Sequence, residues 1–285
     1  MTRPGRHALE CGDLTLEVDP AAGGRVTSFR CGDLEALSGP DVDANNYGST
    51  LWTSPQSDWG WPPPIEFDGR PYAIERSDDA IALAGPVIGS LGVAFEKRFA
   101  VDRARGAFAI TYAIRNATAV ARRVAPWEVS RVPARGLTFF PTGAAHVGPL
   151  PVAQHGGMTW YAHAPETLDD TGQKHSADGR DGYLAHAGNG LLLVKTFADL
   201  PPEMQAPGEG EVEVYGNNRY VEVEAQGPYA SIEPGAVLEW TLRWYLVPLA
   251  ASEARIGNPR LLESVHSILE REVGEGSPRR KDAKT

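Results

Sequence analysis

Short runs in which apolar and polar residues alternate, each closed off by Gly, Pro, Asn or Asp, recur along almost the whole of this chain. YAIER, VAFEKRFAV, FAITYAIRN, EVEVYGN, RYVEVEAQ and AVLEWTLRWYLVP are all of this kind. A period of two sends successive side chains to opposite faces of a strand. With 31 Gly and 23 Pro to supply turns, the pattern predicts an all-β fold, a large antiparallel β-sandwich with one face of each strand buried. At 285 residues the chain reads as one domain over 1–273, followed by a small-residue, charged segment, 274–285, expected to be a disordered tail. One exception to the β pattern is NPRLLESVHSILEREV, whose Leu and Ile recur at helical spacing behind Asn258 as N-cap and Pro259 at the first helical position.

Bulk properties narrow the partners. A net charge of −10 repels nucleic acid and anionic membrane surfaces. No segment approaches the roughly 20 apolar residues of a membrane-spanning helix, and the N-terminus lacks the apolar run of a signal peptide. A cytoplasmic protein, monomer or homodimer, with a small-molecule partner is the expectation. Only Cys11 and Cys31 are present, and a hairpin pairing Val18 with Gly24 would set them opposite each other. Two cysteines make no zinc site, the histidines follow no metal-ligand spacing, and no glycine loop suits a phosphate, so neither metal nor cofactor is expected.

Two regions suggest a site. In Tyr220–Gln226, Val221, Val223 and Ala225 share one face, while Glu222, Glu224 and Gln226 share the other. The stretch from Ser38 to Pro64 reads as a long loop holding Trp52, Trp59 and Trp61 beside Gln56. Three indoles so close together are hard to bury, and flat apolar faces beside amides and carboxylates suit a sugar ring. Gly143 to Asp181 reads as a second loop-rich tract, carrying His146 and His155. Trp240 and Trp244 alternate with Leu242 and Leu246 on a late strand and are assigned to the core.

Three stretches, PAAGGRVTSFRCGDLEAL (Pro20–Leu37), FEKRFAVDRARGAFAITYAIRNAT (Phe95–Thr118) and VEVEAQGPYASIEPGAVLEWTLRWYL (Val221–Leu246), taken in order and spacing, resemble the galactose mutarotase-like superfamily. This is the aldose 1-epimerase-like group of large β-sandwiches. The GSTLWTSPQSDWGWPP segment is similar to that of a branch of the superfamily known as a domain of unknown function. The resemblance implies carbohydrate binding and an aldose 1-epimerase-type isomerase, with Glu224, in Glu224-Ala225-Gln226, at the position of the general base. It also exposes a departure: where the epimerases carry an acid histidine, this chain reads APWEVSRV, with Trp127 and Glu128.

Ring opening needs a base on the anomeric hydroxyl and an acid on the ring oxygen. Glu224 fits the first role. For the second, Glu128 beside Trp127, or His146 or His155 from the second tract, are the candidates, with Arg131 as a possible ion-pair partner of Glu128. The binding residues expected are Trp52, Gln56, Trp59, Trp61, Trp127, Arg131, His146, His155, Glu222 and Gln226. Two alternatives stand beside the isomerase. One is a non-catalytic sugar-binding or sensing domain; the other is a glycoside-cleaving enzyme in which Glu128 and Glu224 flank one bond.

Overall fold

The computed structural model describes residues 5–273; the side chains of residues 144–146 and 273 fall outside the description, as does the expected tail at 274–285. All strand pairings are antiparallel, and they form two large sheets packed face to face. The first sheet runs from His7–Cys11 through Leu14–Asp19, Arg25–Cys31, Ser49–Ser54, Arg122–Pro133, Tyr220–Gln226 and Val212–Gly216 to Gln173–Gly179. The second is built on the long meander Ala80–Ile88, Val93–Asp102, Ala107–Asn116 and Val237–Pro248. It continues through Leu191–Thr196 and Tyr183–Gly188.

One strand, Leu137–Val147, belongs to both sheets. Its first half pairs with Met158–Ala162 and Tyr183–Gly188 in the second sheet. From Thr142 onward, with a register break between Thr142 and His146, it pairs with Gln173–Gly179 in the first.

Between the sheets lies the apolar core, including Phe29, Phe95, Phe99, Phe108, Trp244, Val221 and Val223. Trp240, Trp244, Leu242 and Leu246 are buried there, as their alternation suggests. The helix Pro259–Val273 starts where Asn258 Oδ1 accepts the Arg260 N–H at 2.9 Å. It lays Leu261, Val265 and Ile268 on a second apolar cluster around Phe139, Trp160 and Tyr245. No helix among the described residues is long and apolar enough to cross a membrane.

Three sequence expectations need correction. Ser49–Ser54 is an internal strand, not part of a loop: STLWTS is buried throughout and pairs with Ala125–Ser130. Gly48, at φ 60°, turns the chain into it, and a Cβ there would meet Val26 O at 2.1 Å. The second tract likewise contains strands, Met158–Ala162 and Gln173–Gly179. Finally, Cys11 and Cys31 are not opposite one another. The chain folds back at residues 12–13, so Leu14 stands between them, paired with Cys11 on one side and Cys31 on the other, and both thiols are free.

Candidate functional site

Antiparallel pairing places directly opposed residues on one face, so the register fixes what surrounds Glu224. Val129 stands opposite Glu224, Trp127 opposite Gln226 and Arg131 opposite Glu222. One strand further, Trp52 faces Trp127 and Thr50 faces Val129. On the other side Glu213 stands opposite Glu224 and Tyr215 opposite Glu222, and Lys174 in turn stands opposite Tyr215. This face of the first sheet points away from the second sheet.

Glu224 is fully buried. Its Oε2 accepts from Trp127 Nε1 at 2.8 Å and from Lys174 Nζ at 3.0 Å, while Oε1 has no partner. Lys174 also donates to Glu213 Oε2 at 2.8 Å and rests over the Trp127 ring, 4.6 Å from its centroid. Next to Glu224, the Gln226 amide is 2% exposed with neither its oxygen nor its nitrogen bonded. A buried amide unpaired at both ends is costly unless something else satisfies it.

Arg131 Nε donates to Glu222 at 2.8 Å and Nη1 to Thr50 Oγ1 at 2.8 Å, leaving Nη2 without a partner. The guanidinium lies 4.8 Å from the Trp52 ring centroid. The expected Glu128–Arg131 pair is therefore replaced by Arg131–Glu222.

The tryptophans form a cluster on this face. Trp52 meets Trp127, Trp59 and Trp61 edge-on, at 5.4, 5.6 and 6.1 Å between centroids. Trp52 and Trp127 are buried, Trp59 is half-buried against Phe67, and Trp61 is 62% exposed. Asp68 accepts from Trp52 Nε1 at 3.1 Å and pairs with Arg25 at 3.3 Å, fixing the segment beneath the indoles. The Gln56 backbone N–H donates to Glu209 Oε1 at 2.9 Å, tying the Trp59 turn to the acidic strand's neighbourhood.

Burial and crowding set the charges. Burial pushes the Glu224 carboxyl up to about 8 against the pull of Lys174, with Glu213 and Glu222 adding repulsion. Glu209 is pushed up to about 7 by burial and by Glu213. Burial opposes the charge on Glu213 too, yet Lys174 and hydrogen bonds from Glu209 and Ser176 hold it below the usual carboxylate range. Lys174 loses hydration on burial, but Glu224 and Glu213 more than restore its charged form. The Glu224 proton belongs on Oε1, because Oε2 already takes two donors.

Glu128 is not in this group. Neighbouring residues on a strand face opposite ways, and Glu128 follows Trp127, so its side chain points between the sheets. There it accepts from Lys195 Nζ at 2.9 and 3.0 Å and from Ser49 Oγ at 2.6 Å, and it also accepts from Ser130 Oγ. Lys195 also donates to Val223 O at 2.9 Å. The expected arrangement of Glu128 and Glu224 across one bond is overturned by this opposition of faces.

His155 is also elsewhere, exposed on the Ala153–His155 strand of the second sheet and close to Gly257 before the terminal helix. His146 occupies the register opposite Ala177, and its side chain lies outside the described atoms. A hollow of about 540 Å³ in the second sheet is lined partly by Arg135, His163 and Asn189. Both ring nitrogens of His163 are engaged there, Nδ1 by the Arg135 N–H and Nε2 by Asn217 O. No group of three or more His, Cys, Asp or Glu suited to a metal occurs among the described residues.

Lys174, Glu213 and Glu209 are the site residues that sequence reasoning missed. Lys174 lies in QKHSADG, which has no apolar period; its only signal was that Lys174, Ser176 and Asp178 alternate with His175 and Ala177.

Solved structures share this architecture. A galactose mutarotase-like protein from Lactobacillus casei superposes with a TM-score of 0.60 at 12% identity, over 85% of this chain and all of that one. The chain has the galactose mutarotase-like fold. A galactose mutarotase related enzyme from Lactobacillus acidophilus also gives a TM-score of 0.60, at 8% identity over 86% of this chain and 98% of that one. A TPR-domain containing protein from Parabacteroides distasonis matches at 0.60 and 14% identity; 89% of this chain is covered, but the match spans only 49% of that longer protein. By sequence alone, no family model and no curated protein matches.

Proposed function

We propose that this protein binds a carbohydrate on the Glu224 face of its first sheet and interconverts the anomers of an aldose there. The observation that carries the reading is the pairing of a buried, unpartnered carboxyl oxygen, Glu224 Oε1, with an unpartnered amide, Gln226, beside the tryptophan cluster. A sugar hydroxyl satisfies both polar groups, and the indoles offer an apolar wall for its C–H face.

In this reading Glu224, once deprotonated, takes the anomeric proton through Oε1. Lys174, held at Glu224 and Glu213, takes the place of the missing histidine: as the C1–O bond breaks it gives a proton to the ring oxygen, and it takes that proton back when the ring closes. Entry is from the Lys174 side, where the side chain remains 32% exposed, past the rim at Trp61. The fold shared with mutarotase-like proteins supports the assignment as analogy.

The test is a panel of free aldoses screened by thermal shift, with anomer exchange of each hit followed by NMR. Exchange that is lost in Glu224→Gln and rises as pH climbs through about 8 agrees with the reading. Saturable binding without exchange replaces it with a sugar-binding or sensing domain. No binding by any member overturns it.

A further inference from the structure

Most of the aromatic surface on the Glu224 face is already covered. Trp127 and Trp52 are buried, with Lys174 over the first ring and Arg131 over the second. Trp59 is half-buried against Phe67 and spends its indole N–H on Thr53 O at 2.8 Å. Trp61 alone of the four stands in solvent, 62% exposed. A scattered apolar side chain at a surface needs no explanation, but this one ends a row.

The row starts at the carboxyl of the proposed site. Trp127 Nε1 donates to Glu224, Trp52 lies edge-on to Trp127 at 5.4 Å, and Trp61 lies edge-on to Trp52 at 6.1 Å. Each step between indoles is comparable to the length of one pyranose ring. Beside the middle of the row Arg131 Nη2 is a buried donor without a partner, on a guanidinium 4.8 Å from the Trp52 centroid. Nor is Trp61 free to fold away. Gly60, at φ 70°, turns the chain before it and Pro62, Pro63 and Pro64 follow it. The next turn is fastened by the Phe67–Phe95 stack and the Asp68–Arg25 pair. An indole presented on so restricted a backbone gives up little conformational freedom when a ligand covers it.

From this row we infer that the preferred ligand is the reducing end of a 4-linked oligosaccharide, its first ring at Glu224 and Gln226 and its second stacked on Trp61; this rests on the Glu224 face being a carbohydrate site. In a pyranose C1 and C4 lie at opposite ends of the ring. With the anomeric hydroxyl at Glu224, a sugar carried on O4 therefore leaves on the side away from the buried carboxyl, and the outer end of the row is where Trp61 stands. There the indole meets the C–H face of the second ring, and Arg131 Nη2 is within the span of the pair to take a hydroxyl. A monosaccharide at Glu224 leaves the Trp61 face in water.

The test is calorimetric titration of the full chain with glucose, galactose and mannose, each compared with its own 4-linked disaccharide: cellobiose and maltose, galactobiose, and mannobiose. At least one disaccharide should bind about five- to tenfold more tightly than its monosaccharide. Trp61→Ala should weaken that disaccharide by about the same factor, several times more than it weakens the monosaccharide, and Trp61→Phe should keep part of the advantage. Melting curves check that both variants fold, and either one that does is sufficient to read the difference.

Equal binding of every disaccharide and its monosaccharide, or an advantage that survives Trp61→Ala, overturns the second-ring site while leaving a carbohydrate site intact. Equal weakening of both ligands by Trp61→Ala overturns it too, since the indole then touches the first ring. Absence of binding by every sugar overturns the carbohydrate site and the second-ring site together.

Discussion

Trp127 and Glu224, on neighbouring strands, are joined by a hydrogen bond from the indole Nε1 to carboxyl Oε2 at 2.8 Å. The bond does two things. It satisfies a buried indole donor, and it leaves Oε1 as the oxygen that can exchange a proton. Trp127→Phe keeps an aromatic ring edge-on to Trp52 but removes that donor. We expect a loss of about 1–3 kcal/mol in stability from the weakened acceptor. Its pH profile for anomer exchange should shift upward, because the Glu224 carboxylate is less well stabilised; urea unfolding and an NMR rate profile measure the two.

Lys174→Met leaves Glu213 and Glu224 crowded without their cation. The effect should depend on pH, since the carboxyls escape the repulsion by taking up protons. We expect little loss near pH 5 and roughly 1–3 kcal/mol near pH 8, below the value for a fully enclosed pair because Lys174 is 32% exposed. Urea melts at the two pH values test this, and an equal loss at both would show that the lysine acts by packing alone.

Lys195 is different in kind. It is enclosed between the sheets with Glu128, and burial lowers its affinity for a proton although Glu128 pulls the other way. Lys195→Met should cost about 3–5 kcal/mol, and adding Glu128→Gln should restore part of it, because the stranded carboxylate is then gone. Ligand binding at the Glu224 face should survive in any variant that still folds. A double-mutant cycle by chemical unfolding, with sugar titration of the folded variants, checks both statements.

Glu211 is buried and its carboxyl is pushed up to about 8 by that burial, from an ordinary 4.5. The folded chain therefore holds this proton more tightly than the unfolded chain. The stabilising contribution is complete below about 4.5 and is lost as pH rises through about 8, at up to about 1.4 kcal/mol per pH unit in between. Glu211→Gln stays neutral, so its stability should fall less steeply between pH 5 and pH 8, with the largest gain over the natural chain at the upper end. Parallel melting curves across that range would reveal it.

The acidic strand was legible in sequence because period two is a local property: Glu222, Glu224 and Gln226 had to share a face wherever the strand went. The helix was equally readable from Asn258 and Pro259 onward. What the sequence could not convey was partnership between strands. Glu128 was set with Glu224 because it follows Trp127 in the segment where the resemblance expects the acid histidine, yet a single step along the strand puts it on the far side of the sheet, against Lys195. Lys174 was invisible for the converse reason: it comes from a polar segment some 50 residues earlier, and only the pairing of Gln173–Gly179 with Val212–Gly216 brings it to Glu224. Ser49–Ser54 was hidden by the glycine and proline at its ends, which suggested a loop through a stretch that pairs on one side along its whole length.

The shared strand Leu137–Val147 has a consequence for how this molecule comes apart. Its two halves are stitched into different sheets, so neither sheet is a separable unit. Peeling the second sheet from Met158–Ala162 would tug, through one continuous backbone, on Gln173–Gly179 and the lysine it carries. Loss of order should therefore spread from sheet to sheet as a single event, with the Glu224 face and the meander behind it exchanging their amide protons together.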